Sequence, residues 1–212
     1  MAEIKGIYAI TDENLIPDIS LETMVEKAIL GGVNIIQLRD KYFSFEKRIE
    51  RAKRLREITK KYKIPLIIND DPYVALESDA DGVHLGKEDL GANEIECFNK
   101  IKSLLKKKII GISCYNSLER AITFEKLGAT YVAFGAVFNS PTKPTEIRIS
   151  SLDFFKSAKK KLKIPIVAIG GINSDNYHLL LKYKVDAVAI VSAIFNGDPY
   201  LNAKKFNSTF WK

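Results

Sequence analysis

The sequence has 212 residues, 46% hydrophobic and 28% charged, which excludes a disordered, collagen-like or coiled-coil chain and is long enough to bury a full core. Lys and Arg outnumber Asp and Glu by 33 to 26, a formal charge of +7. The basic residues gather in amphipathic stretches (47–63, 102–108, 156–163), so solvated helix faces account for them better than nucleic acid does, and no nucleic-acid motif accompanies them.

Cys97 and Cys114 are too few for a disulfide framework or a multi-cysteine zinc site and suit a reducing, cytoplasmic compartment. Met1 runs straight into residues 4–10 with Glu3 and Lys5 nearby, without an apolar signal core. No apolar run reaches membrane-spanning length, so no membrane partner is expected.

Short Ile- and Val-rich runs alternate with longer amphipathic stretches. A strand is predicted over 6–10, then Ser20 as the cap of a helix over 21–30 that Gly31-Gly32 closes. A second strand over 34–38 runs into Gln37-Leu38-Arg39-Asp40-Lys41, a dense anion site at a strand's C-terminal end or, on the plainer account, a charged loop with a surface ion pair. Alternation along the strand puts Gln37, Arg39 and Lys41 on one side. Ser44 caps a helix over 45–62.

The third strand, 65–68, is followed by Asn69-Asp70-Asp71, a short helix near 73–76, and a fourth strand over 82–85 that leads into Gly86-Lys87-Glu88-Asp89. Adjacent barrel strands lie about 5 Å apart, so Asp70 and Asp89 can converge on one magnesium ion, which uses few protein carboxylates and takes its other ligands from water and phosphate. The competing role is that Asp70 or Asp71 caps a helix beginning at Pro72, which for Asp70 taken alone is the favoured account. His84, among apolar neighbours, reads as a barrel-wall histidine rather than a catalyst, and His178 as a helix-surface residue.

A helix over 94–107, a strand over 109–112, a helix over 118–127 capped by Ser117 and closed by Gly128, and a strand over 131–134 come next. Cys114 has no adjacent base and reads as structural. The loop after the sixth strand carries Ser140, Pro141, Thr142 and Lys143, hydroxyl donors and a point charge suited to phosphate. Helix 152–162, with Ser151 as cap, strand 165–169, helix 176–183 with Ser174 as cap, strand 187–191 and a helix over 201–210 complete the series. Gly170-Gly171 and Val191-Ser192 end the last two strands, where barrels frequently hold phosphate.

Eight βα units at about 26 residues each predict an α/β fold, a single (β/α)8 TIM barrel spanning 1–212 as one domain. An open doubly wound sheet fits less well, because no early strand is followed by a Gly-x-Gly-x-x-Gly loop.

Read in order, YAITD at 8–12, QLRDK, IINDD, DGVHLGKEDL, GISCYN, GAVFNSPTKP, IPIVAIGGI and DAVAIVSAI resemble the thiamine phosphate synthase family over nearly the whole chain. The resemblance implies a magnesium-dependent transferase. It would condense 4-amino-2-methyl-5-(diphosphooxymethyl)pyrimidine with thiazole phosphate to give thiamine phosphate and pyrophosphate, plus CO2 where the carboxythiazole phosphate is used. It assigns Gln37, Arg39, Lys41, Asn69, Ser113 and Lys143 to the pyrimidine diphosphate, with Arg39, Lys41, Ser113 and Lys143 catalytic, and it counts Leu38 and Asp40 among the substrate-binding residues. Asp70 and Asp89 would hold Mg2+. The thiazole phosphate falls to Ser140, Thr142, Gly171 and the Val191-Ser192 backbone, and Pro141 is counted among the substrate-binding residues.

The family reaction is dissociative and needs no protein nucleophile, in keeping with the lack of a Ser-His-Asp or Cys-His set. Lys87, Asp71 and Ser140 depart from residues common in the family, and a homo-oligomer is compatible with the pattern. Two alternatives are a thiazole tautomerase on the same barrel, disfavoured by the full diphosphate apparatus and by Tyr115 where that relative uses histidine, and a non-catalytic phosphate-binding barrel, disfavoured by the paired carboxylates.

Overall fold

The computed structural model describes residues 3–139 and 149–206. Eight parallel strands close into one barrel in sequence order: β1 Gly6–Ile10, β2 Ile35–Leu38, β3 Leu66–Asn69, β4 Gly82–Leu85, β5 Ile109–Tyr115, β6 Tyr131–Phe134, β7 Ile166–Ile169 and β8 Ala187–Ile190. β1 meets β2 through Tyr8 and Ile35 on one edge and β8 through Tyr8 and Ala189 on the other, so no strand is left with an unpaired edge.

Every strand position faces either the lumen or the surrounding helices, and strict alternation decides which. Ile7, Ala9, Ile36, Leu38, Leu66 and Ile68 face outward and join the large core beneath the helices. The lumen instead receives Ile4, Tyr8, Ile35, Ile67, Ile109 and Tyr131, which close its N-terminal half with packed side chains. Gly111 makes room for this layer. A Cβ built there would lie 2.0 Å from the Tyr131 ring.

The helical shell among the described residues comprises α1 Leu21–Leu30, α2 Phe45–Lys61, α3 Pro72–Glu77, α4 Lys87–Leu90, α5 Glu94–Leu105, α6 Leu118–Leu127, α7 Asp153–Lys161, α8 His178–Leu181, α9 Ser192–Phe195 and α10 Pro199–Lys204. Their buried stripes follow the helical period, as with Phe98, Ile101 and Leu105 on α5. Ser44 and Ser117 accept the third-residue amides of α2 and α6 as caps, and Gly128, at φ 98°, turns the chain out of α6.

Ser20 and Ser174 do not cap. Ser20 donates to the Pro17 carbonyl and Ser174 to Asp175, because the chain enters each helix through its own preceding turn. Ser151 accepts the Asp153 amide, although Leu152 precedes the helix. The helix expected over 176–183 contracts to α8, and α4 and α9, at four residues each, are too short to show a period in the sequence. No helix of the described residues is long and apolar enough to cross a membrane.

Candidate active site

At the C-terminal end of the barrel the lumen opens into a cavity of about 700 Å3. Its wall draws on all eight strands. Gln37, Arg39 and Lys41 come from β2 and its continuation, Asn69 and Asp70 from the end of β3 and the residue after it, His84 from β4 and Asp89 from α4, Ser113 and Tyr115 from β5, and Val191 and Ser192 from the step between β8 and α9. The alternation expected for Gln37, Arg39 and Lys41 is borne out.

The same alternation turns the side chains of Leu38 and Asp40 away from the cavity. Leu38 is buried in the outer core, and Asp40 turns outward to meet Arg51 of α2, with Nε to Oδ2 at 2.6 Å and Nη2 to Oδ1 at 3.2 Å. Neither side chain reaches the cavity. Arg51 also pairs with Asp18 and stacks over Phe43 at 4.4 Å, so this buried knot anchors the segment that carries the two cavity cations. Burial raises the Asp40 carboxyl above its ordinary value, and Arg51 opposes that rise. From the other side Thr11 Oγ1 accepts the Arg39 amide, and Glu13 accepts those of Lys41 and Tyr42.

Within the cavity the cations are loosely matched. Arg39 lies 3.8 Å from Asp12, and Lys41 lies 3.6 Å from Asp70. Asp70 adopts φ 67°, a left-handed conformation that an Asp side chain tolerates, and its amide donates to the His84 carbonyl at 2.8 Å. The favoured capping role for Asp70 is therefore overturned. Asp71 accepts the Tyr73 and Val74 amides at the start of α3 and pairs with Arg48 at 3.0 Å. Asp71 thus serves the shell, while Lys87 is exposed and lends the site only its amide, donated to Tyr115 Oη at 3.3 Å.

Burial, then the neighbouring charge of Asp89, pushes the Asp70 carboxyl up to about 6, with Lys41 opposing. One oxygen of Asp89 is already engaged by the Gly86 amide at 2.6 Å. Two carboxylates in mutual contact, one reluctant to ionise beside the other, form a donor pair that a divalent cation would relieve. Among the described residues no group of three or more His, Cys, Asp or Glu converges on a metal position, so water and a phosphate-bearing reactant would supply the remaining oxygens.

Sequence reasoning missed the aromatic floor. Tyr8 and Tyr131 meet at 2.9 Å through their hydroxyls, and His84 bridges Tyr131 and Ser113 through its two ring nitrogens, each at 2.9 Å. His84 is thus a satisfied wall histidine, as expected, but one that touches a candidate site residue. Burial holds it down to about 4, and burial drives both tyrosines upward, so all three are neutral near pH 7. The inward phase of β1 and β6 was the available signal. Cys114 faces the outer core, where burial pushes its thiol up to about 12, the structural role expected of it.

Gly171, at φ 65°, packs against the Phe138 and Asn139 backbone and is not part of the described cavity wall. Ser140, Pro141, Thr142 and Lys143 lie outside the described residues.

The family profile for thiamine monophosphate synthase matches residues 7–194. The thiamine-phosphate synthase of Nitrosococcus oceani is 45% identical over 92% of this chain and 87% of its own, and that of Nitrosospira multiformis is 45% identical over 98% and 86%. The solved thiamine phosphate pyrophosphorylase of Pyrococcus furiosus superposes with a TM-score of 0.84 at 37% identity, covering 97% of this chain and 94% of that one. The cavity cations, the carboxylate pair and these likenesses over almost the full length agree, and the chain belongs to the thiamine monophosphate synthase family.

Proposed function

We infer that this chain condenses the hydroxymethylpyrimidine diphosphate with thiazole phosphate, forming thiamine phosphate and releasing pyrophosphate. The observation that carries the assignment is the meeting of Arg39, Lys41, Asp70 and Asp89, from three separate strand ends, at one cavity. Such a set suits the departure of a diphosphate, whose oxygens gain negative charge as the bond to carbon breaks.

In the chemistry we propose, the C–O bond to the pyrimidine methylene breaks first and its electron pair leaves with the diphosphate. The thiazole nitrogen then donates its lone pair to the methylene carbon, closing the C–N bond. Arg39 and Lys41 face the growing charge, and their loose pairing with Asp12 and Asp70 leaves donors to give to phosphate oxygens. Gln37, Asn69 and Ser113 supply neutral polar contacts for the pyrimidine, and Val191 and Ser192 wall the part of the cavity assigned to the thiazole phosphate.

Asp70 and Asp89 would hold Mg2+, which when bound neutralises diphosphate charge. For Lys143, Ser140, Thr142 and Gly171 the roles implied by the family resemblance stand as part of the same proposal, as does the use of a carboxythiazole phosphate with loss of CO2.

Incubation of the purified chain with both reactants and magnesium, followed by mass spectrometry and a pyrophosphate assay, tests the reading. Thiamine phosphate that disappears on chelation is expected. Isomerisation of a thiazole phosphate without joining would favour the tautomerase, and binding without turnover would favour a sensor.

A further inference from the structure

Side chains from five different strands form an unbroken hydrogen-bonded run across the lumen. Gln37 Nε2 donates to Tyr8 Oη at 2.8 Å, Tyr8 Oη meets Tyr131 Oη at 2.9 Å, Tyr131 Oη meets His84 Nδ1 at 2.9 Å, and His84 Nε2 meets Ser113 Oγ at 2.9 Å. Each hydroxyl has one hydrogen, so the sense of one bond constrains the next.

An amide nitrogen can only donate, which makes Tyr8 an acceptor at its first contact. Among the described residues Tyr131 is the one further partner recorded for the Tyr8 hydroxyl. If its hydrogen did not go there, a donor would be stranded in a layer where Tyr8 is 1% exposed. Tyr131 then accepts from Tyr8 and spends its own hydrogen on His84 Nδ1, which must accept it and so carries no proton. The ring proton is thereby left on Nε2, pointing at Ser113 Oγ. Ser113 is an acceptor toward the floor, and its hydroxyl hydrogen is free to turn into the cavity. Reversing every bond would waste the Tyr8 hydrogen and aim the Ser113 hydrogen away from the reactants.

We propose that Tyr8, Tyr131 and His84 are positioning residues that hold Ser113 as a hydrogen-bond donor into the cavity, selecting a reactant that offers it an unprotonated nitrogen or oxygen lone pair. The selection of a reactant rests on the reading of the cavity given under Proposed function; the sense of the hydrogen-bonded run does not.

The experiment separates the two. In a His178→Gln protein labelled with 15N-histidine, His84 is the remaining imidazole, and its two- and three-bond 1H–15N correlations report the tautomer. The Nε2–H form near neutral pH is expected; the Nδ1–H form or an imidazolium would overturn the proposal even if turnover is normal. The second arm is a double-mutant cycle on turnover. Tyr131→Phe should lower kcat by about tenfold, the equivalent of one hydrogen bond, and by less than about twofold in a Ser113→Ala background. Equal losses in both backgrounds would show that Tyr131 does not act through Ser113. If thiamine phosphate is not formed at all, the assigned reaction fails while the tautomer still decides the direction of the run.

Discussion

Arg39 and Arg51 meet carboxylates in opposite ways. Arg51, on the shell side of β2, is 1% exposed, is clasped by both oxygens of Asp40 and pairs with Asp18. Arg39, on the lumen side, is half-buried and reaches Asp12 only at 3.8 Å. The first cation is consumed by the fold, and the second is held beside a cavity with donors to spare. The contrast teaches that pairing, more than charge, separates the cations that build this barrel from those that can act on a ligand.

The sharpest way to break the comparison is Arg51→Met. It leaves Asp40 buried and uncompensated, and denaturant unfolding should show a loss of about 3–5 kcal/mol. A loss below about 1 kcal/mol would mean that the knot is not a structural anchor. Arg39→Gln should do the reverse, cutting turnover in a pyrophosphate-release assay on the order of a hundredfold with an unchanged unfolding midpoint. If instead stability fell and turnover survived, the two arginines would have exchanged roles.

Gly111→Ala probes the lumen floor. The added methyl meets the Tyr131 ring at 2.0 Å, and a thermal melt should record destabilisation of about 1–3 kcal/mol. The smallest effect is expected from acid. Asp18 is lowered from 3.8 to about 2, chiefly by its hydrogen bond to Lys47 and then by Arg51. A carboxylate depressed in the folded state contributes stability that is present above 3.8 and is lost as pH falls through about 2, so Asp18→Asn should flatten that limb of a midpoint-against-pH curve. An identical acid limb in the variant would remove Asp18 from the account.

The fold was legible because strands covered on both faces are short continuous apolar runs and the intervening helices carry their own period. β1, β4 and β6 begin and end at the residues expected from the sequence. Arg39, Lys41 and the Asp70–Asp89 pair were legible too, since charge placed directly after a buried strand falls on the rim where a barrel gathers its polar groups.

What stayed hidden depends on phase and on distance along the chain. Leu38 and Asp40 share a motif with Arg39 and Lys41 yet face the other way. Asp70 and Asp71 compete for one cap, and only the backbone conformation decides between them. Tyr8 and Tyr131 touch across 123 positions, and no local pattern announces such a meeting.

The lumen is stoppered by Ile4, Ile35, Ile67, Ile109 and the two tyrosines, which makes the barrel a cup rather than a tunnel. Among the described residues the floor is closed, so arriving reactants and departing products would use the same C-terminal end of the barrel.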